Sequence, residues 1–244
     1  MIAAEELRKT FGEVVAVSAV SLRAEDGQIT GILGPNGAGK TTTMRMISTL
    51  VRPDAGSVRV DGHDAVADPA AVRRRLGVLP DARGLYPRLT ARENIEYFGR
   101  LQGVDEATLN RRVDALLDRL ELGEVAGRRV HGFSQGERAK VAIARALVHE
   151  PQNVLLDEPT NGLDVMSTRA MRTLIRGLRD EGKAVVFCSH VMQEVSALCD
   201  TIVVVARGTV VARGTAKQLL EQAGTASLED AFVKIIGTEE GLVA

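Results

Sequence analysis

Gly34-Pro35-Asn36-Gly37-Ala38-Gly39-Lys40-Thr41 constrains this chain more than any other stretch. It fits G-x-x-x-x-G-K-[ST], the spacing of a phosphate-binding P-loop. Its flanks agree. Residues 28–33 read as a strand, with Ile29, Ile32 and Leu33 apolar behind Gly27. Residues 42–50 read as a helix, with Met44, Met46, Ile47 and Leu50 on overlapping faces. A glycine-rich turn feeding a helix N-terminus aims backbone N–H groups into one concavity, where the helix dipole adds about half a positive charge. Gly37 and Gly39 let the backbone approach phosphate oxygens with no Cβ in the way. Lys40 supplies a point charge for the outer phosphates, and the Thr41 hydroxyl suits Mg²⁺.

At 244 residues the chain has room for one large α/β domain, or one domain with a subdomain. Basic and acidic residues number 31 and 32, a net charge of −1, which argues against a strongly basic nucleic-acid surface. The longest aliphatic runs, such as 202–206, fall far short of the roughly 18–20 residues of a membrane span. Glu5, Glu6, Arg8 and Lys9 interrupt any apolar leader. A soluble, cytosolic chain is expected, and the two cysteines, Cys188 and Cys199, fit a reducing compartment. Cys188 ends a strand-like run and reads as buried.

The N-terminus reads as antiparallel β-structure over 2–7 and 14–22, with a turn at Phe11-Gly12. With five Phe and two Tyr in the chain, each aromatic carries information. Phe11 is either a core aromatic, which composition favours, or a ring that stacks on a purine through its face. Beyond the P-loop helix, 53–56 is a turn, 57–60 a short strand, and Asp61-Gly62 a hairpin signal. Residues 69–75 read as a short basic helix and 76–79 as a buried strand stopped by Pro80-Asp81.

From Asp81 the texture becomes helical, through 82–129. Thr90 and Glu93 form a capping box before a helix carrying Ile95, Phe98 and Leu101. A second helix carries Leu109, Val113, Leu116, Leu117 and Leu120. These stripes read as the insert's own core, or as a groove for a partner. Ser134 and Glu137 make another capping box, opening a helix through Val141, Ile143, Ala144 and Leu147. His149 near its end suits the dipole and reads as a surface residue.

Residues 154–158 form an apolar strand ending in Asp157 and Glu158. Open α/β sheets bind ligands at strand C-termini. Asp157 suits Mg²⁺ through its water shell, and Glu158 suits polarising a water. Asn161-Gly162-Leu163-Asp164 is a turn before a helix. A buried strand at 184–188 leads to His190, which is either a packing or surface histidine or a donor to phosphate. Strands at 201–206 and 209–213 flank a hairpin turn, and short helices follow, with Thr215 and Ser227 as caps.

In this order and spacing, the P-loop, the Ser134 helix start, Asp157-Glu158, Asp164 and His190 resemble the nucleotide-binding subunit of an ATP-binding cassette transporter. The resemblance runs from about residue 2 to 214. It implies an α/β fold, a P-loop NTPase (RecA-like) core with an N-terminal antiparallel β-subdomain and an inserted α-helical subdomain. Residues 1–81 and 134–215 would be the ATP-binding core, 82–133 the helical subdomain and 216–244 a C-terminal helical extension. It further implies that Gly34, Pro35, Asn36, Gly37, Ala38, Gly39, Lys40, Thr41 and Thr42 bind ATP phosphates and that Phe11, where the family more often has Tyr, stacks on adenine. Thr41 and Asp157 would hold Mg²⁺, Glu158 would be the catalytic base and His190 the histidine at the γ-phosphate. Ser134, Gln135, Gly136 and Glu137 would form the signature that caps ATP held by a second subunit, with Asp164 in the dimer loop. The implied assembly is a head-to-tail homodimer sandwiching two ATP molecules, attached to the cytoplasmic membrane face through a separate multi-spanning subunit.

Three positions depart from the family pattern. The signature usually reads Ser-Gly-Gly-Gln, so Gln135 replaces a glycine and Glu137 an amide; Glu137 is expected to cap its own helix. Asp81 stands where Gln is usual, one methylene shorter and unable to donate when ionised, though still able to accept from a metal-bound water. Asn161-Gly162 replaces the usual Ser-Ala. Residues 76–86 also resemble a narrower group, the bacterial sodium-extrusion ATPase subunits of the NatA kind, which implies export, with sodium as a substrate. The other readings are a non-transport cassette ATPase acting on nucleic acid or ribosomes and an inactive binding module. A short helical insert, a single cassette and near-neutral charge argue against the first; Lys40, Glu158 and His190 argue against the second.

Overall fold

A computed structural model describes residues 1–81 and 83–237. The strands are β1 (Ile2–Phe11), β2 (Val14–Ala24), β3 (Ile29–Leu33), β4 (Ala55–Val60), β5 (His63–Asp64), β6 (Leu76–Leu79), β7 (Asn153–Asp157), β8 (Ala184–Cys188), β9 (Thr201–Ala206) and β10 (Thr209–Gly214). The helices are α1 (Lys40–Ile47), α2 (Pro69–Arg75), α3 (Ala91–Leu101), α4 (Glu106–Arg119), α5 (Gln135–Leu147), α6 (Val165–Asp180), α7 (Met192–Leu198), α8 (Ala216–Ala223) and α9 (Leu228–Ile236). Among the described residues these ten strands join one sheet, in the order β5-β4-β1-β2-β10-β9-β3-β8-β7-β6.

Continuous apolar runs suit strands covered on both faces, and β3, β7 and β8 are buried at every residue. β3 pairs in parallel with β8 and β9, and β7 with β8 and β6. Side-chain alternation then splits these strands between two cores. Val154, Leu156, Val185, Phe187, Ile202 and Val204 face α3 to α7. Leu155, Val186, Cys188, Val203 and Val205 face α1 and the antiparallel wing. That wing, β1 with β2 and β4, meets the parallel strands at β10, where the Gly208 carbonyl accepts from the N–H groups of Ser18 (2.8 Å) and Ala19 (3.1 Å).

The structure extends or corrects the sequence reading at several points. β1 continues to Phe11, whose ring is 49% exposed with Lys9 Nζ 5.5 Å from its centroid, so Phe11 is not a core aromatic. α1 stops at Ile47. The chain turns at Thr49 (φ 63°), and Leu50 points to solvent instead of extending the apolar face. His149 is not a surface residue. Its Nε2 lies 3.0 Å from the Leu76 carbonyl, and burial holds its pKa below the usual histidine value. The helical stripes of 82–129 are not a core of their own either. Ile95, Leu109 and Val113 share one cluster with Ala142, Ile143 and Leu147 of α5. Two helices of 11 and 14 residues cannot cover both stripes between themselves, so they close on a third element. Leu101 lies outside that cluster, exposed.

Fully buried Asn94 orders the segment before α3: its Oδ1 accepts from Tyr86 N–H (2.9 Å) and its Nδ2 donates to the carbonyls of Tyr86 and Thr90. The capping box of Thr90 and Glu93 is formed. Thr215 and Ser227 cap α8 and α9 as expected, while residues 238–244 of the expected C-terminal extension lie outside the described residues. None of the described helices is long and apolar enough to cross a membrane. Ile95→Ala should destabilise the fold by about 2–5 kcal/mol, read as a lowered urea midpoint, because it opens a cavity where α3, α4 and α5 meet.

Candidate functional site

Because β3, β6, β7 and β8 are parallel, their C-terminal ends share one edge of the sheet. The P-loop, Asp81, the turn after Asp157, and His190 all leave that edge.

The P-loop follows β3 and turns at Gly39, the N-cap of α1, at φ 98°. A Cβ at Gly39 would stand 2.5 Å from the Ala16 carbonyl oxygen of β2, so the loop seats directly on the antiparallel wing. α1 has no side-chain cap, which leaves its first N–H groups to the loop. Buried Lys40 donates from Nζ to the carbonyls of Gly34 (2.7 Å) and Pro35 (3.0 Å), so its ammonium lies over the loop that precedes it.

Asp157 ends β7 and is buried; among the described residues its Oδ1 has no hydrogen-bond partner. Burial pushes its carboxyl above the usual range, with Cys188 and Thr41 pulling it back. An orphaned carboxylate oxygen beside a threonine hydroxyl is a hard-oxygen donor pair that fits Mg²⁺. Among the described residues no three His, Cys, Asp or Glu side chains group as a metal cage. Such an ion would take its remaining ligands from water and phosphate, as Mg²⁺ characteristically does.

Glu158 follows in the left-handed region (φ 48°), its N–H donating to the Cys188 carbonyl (2.9 Å). His190 Nδ1 lies 2.9 Å from Glu158 Oε1, and Ser189 Oγ donates to Oε2 (3.3 Å). The structure therefore brings together the two side chains that the resemblance assigns to catalysis. Buried Ser189 and Glu194 escaped the sequence reading. Glu194, on α7, accepts from Thr160 Oγ1 and from Arg172 Nη2 (3.3 Å), tying the turn after Glu158 to the helix after His190. Its one sequence signal was its place one helical turn past His190.

At the start of α5, Ser134 Oγ accepts from Glu137 N–H (3.2 Å) and Glu137 Oε2 accepts from Ser134 N–H (2.7 Å). The Glu137 carboxylate thus caps its own helix, and these bonds hold its pKa below the usual range. Gly136 abuts α6: a Cβ there would lie 2.7 Å from Ser167 Oγ. Asp164 caps α6 by accepting from Ser167 N–H (2.9 Å) and Oγ–H (2.8 Å). Gln135 is exposed, held by Arg83. Asp81, Arg83, Gln135, Glu158 and Asn161 all line one cavity of about 430 Å³.

A glycine loop between a buried strand and a helix, with a carboxylate pair ending a strand two places away, defines a P-loop nucleotide-binding domain. A family model described as ABC transporter matches residues 17–161, and the chain belongs to the ABC transporter family as an ATP-binding subunit. It is 47% identical over 221 residues to the ABC transporter ATP-binding protein NatA of Bacillus subtilis, covering 90% of each chain. A solved ATP-binding subunit of an ABC transporter superposes with a TM-score of 0.89 at 27% identity, covering 96% of this chain and 99% of that one. A dimeric ATP-binding cassette in a post-hydrolysis state with ADP and Pi superposes at 0.80 with 27% identity, covering 88% and 98%. The mixed α/β fold with its ten-stranded sheet is that of the family's nucleotide-binding domain, which binds ATP.

Glu137→Ala should lower the melting temperature at neutral pH by an amount equivalent to about 0.3–1 kcal/mol. A carboxyl with a lowered folded pKa stabilises above its unfolded value near 4.3, and that stability is lost as pH falls through the folded value. The deficit of the variant should therefore vanish in that acid range, followed by calorimetry.

Proposed function

We propose that this chain hydrolyses ATP and couples the hydrolysis to export of a substrate through a separate multi-spanning membrane subunit. The observation that carries the reading is the convergence of Lys40, Thr41, Asp157, Glu158 and His190 on one sheet edge, with His190 against Glu158.

Gly34 to Thr42 cradle the phosphates with backbone N–H groups, and Lys40 leaves its loop carbonyls for the outer phosphates. Phe11, exposed at the end of β1, stacks on adenine. Mg²⁺ would be held by Thr41 and Asp157, with Asp81 able to accept from a bound water, and would neutralise charge on the phosphates. Glu158 orients and polarises the attacking water, and His190, 2.9 Å from Glu158, donates toward the γ-phosphate. Catalysis is then mostly positioning and electrostatics.

The chain works as a homodimer. Ser134 to Glu137 and the Asp164 turn of one protomer face ATP held by the other, so ATP closes the pair and loss of the γ-phosphate lets it open. The dimeric relative with ADP and Pi supports this arrangement. Residues 1–81 and 134–215 act as the ATP-binding core, 82–133 as the helical subdomain and 216–244 as a C-terminal extension. Tyr86 and Tyr97, 46% and 40% exposed, offer an aromatic face beside residues 81–89 for the cytoplasmic helix of the membrane subunit. The subunit thus sits on the cytoplasmic membrane face and needs no nucleic acid. Likeness of residues 76–86 to sodium-extrusion subunits supports sodium as the exported ion.

Glu158→Gln should lower ATP turnover at least about 10²-fold while the protein still binds ATP and accumulates as a dimer on size exclusion. A tagged pull-down from solubilised membranes should bring down a multi-spanning protein in near-equal amount. Inside-out vesicles carrying both subunits should accumulate ²²Na⁺ with ATP; recovery of soluble partners alone would overturn the transport reading.

A further inference from the structure

Arg83 sits two residues beyond Asp81, inside the 76–86 stretch, and none of the site roles above is assigned to it. Its guanidinium makes three hydrogen bonds. Nη1 donates to the Gln135 backbone carbonyl (2.9 Å) and side-chain Oε1 (2.8 Å), and Nη2 donates to the Asn161 carbonyl (2.9 Å). Gln135 and Asn161 are both positions where this chain departs from the family pattern. With glycine at 135, the Oε1 bond would have no acceptor.

The backbone of Arg83 is fixed as firmly as its side chain. Buried Arg145 donates to the carbonyls of Arg83 (2.7 Å) and Gly84 (2.8 Å), with its guanidinium 4.4 Å from the Phe98 ring centroid. α5 therefore grips residues 83–84 at both ends, through Gln135 at its start and Arg145 in its last turn. From Asn161 the link runs on to Glu158, because the Asn161 N–H donates to the Glu158 carbonyl (3.1 Å). One planar fork thus joins the start of α5 to the turn that carries Glu158. None of these three bonds goes to the P-loop.

We propose that Arg83 is a positioning residue for ATP hydrolysis. It fixes the start of α5, which faces the partner's ATP, at a set distance from the Glu158 turn of its own protomer. This rests on the dimeric reading above. Gln135 is the second half of the device, supplying an acceptor that a glycine lacks. A guanidinium fork holds three acceptors in one plane, whereas an ammonium cannot span them in that geometry.

The test uses the full chain, with steady-state ATPase, affinity for a fluorescent ATP analogue, and melting temperature measured side by side. Arg83→Ala should lower kcat about 10- to 100-fold, with analogue affinity unchanged and the protein still folded at the assay temperature, because misplacing a reacting group costs turnover and not binding. Arg83→Lys should not restore the rate. Gln135→Gly should give a smaller loss, and Arg83→Ala with Gln135→Gly should be no worse than Arg83→Ala alone. Should Arg83→Ala fail to fold, Arg83→Lys carries the same comparison. The proposal is overturned by a wild-type kcat in Arg83→Ala, by full rescue in Arg83→Lys, or by a rate loss that tracks lost affinity or lost stability. Glu158→Gln separates the two readings. If it is inactive while Arg83→Ala keeps the wild-type rate, only the Arg83 proposal falls; if it turns over ATP normally, both fall.

Discussion

Parallel pairing of β3 with β8 and of β8 with β7 sets the level of everything at the nucleotide edge. Ile32 sits opposite Cys188, and Cys188 opposite Asp157. One residue past each of these points lie Leu33, Ser189 and Glu158, so the P-loop, the histidine turn and the carboxylate pair emerge in step. A slip of one residue in β7 would exchange Leu155 with its neighbours between the two cores and turn Asp157 away from Thr41. The register is held because both sheet faces are covered: each alternate side chain has a core to lose.

The same edge carries strain. Glu158 adopts a left-handed backbone that costs a non-glycine residue roughly 1–3 kcal/mol, and it is held there from several sides. The Cys188 carbonyl takes its N–H, and Ser189 and His190 hold its carboxylate. Glu194 fastens Thr160 two residues on. That is the pattern of a side chain whose aim matters more than its comfort. It explains why neutral residues such as Ser189 and Thr160 are buried here, although no chemistry is asked of them.

Most of the core was legible because its signals are local. The strand at 76–79, the helix at 69–75, the strand at 184–188 and the boxes at Thr90 and Ser134 stand where the residues put them. That the P-loop, Asp157, Glu158 and His190 lie at strand ends was legible for a related reason, since each ends or follows a strand that spells itself out in apolar residues. Errors fell where a side chain's surroundings come from distant chain. His149 looked like a polar helix end, but β6 lies across it. Composition alone favoured a core Phe11, whereas a hairpin end has only one side to pack on. Leu50 kept the helical period after the backbone had already turned at Thr49.

By itself the sequence determined the elements, the glycine loop and the types of group available for phosphate, metal and water, because propensity, capping and periodicity act over a few residues. Only the tertiary structure decided which of those groups meet. Glu158 reaches His190 across 32 positions, Thr160 reaches Glu194, and Arg83 reaches Gln135 and Asn161, because a parallel sheet returns its chain to the same edge after every crossover. Closure between distant segments depends on the packing of both cores at once, and no stretch of residues carries that information alone.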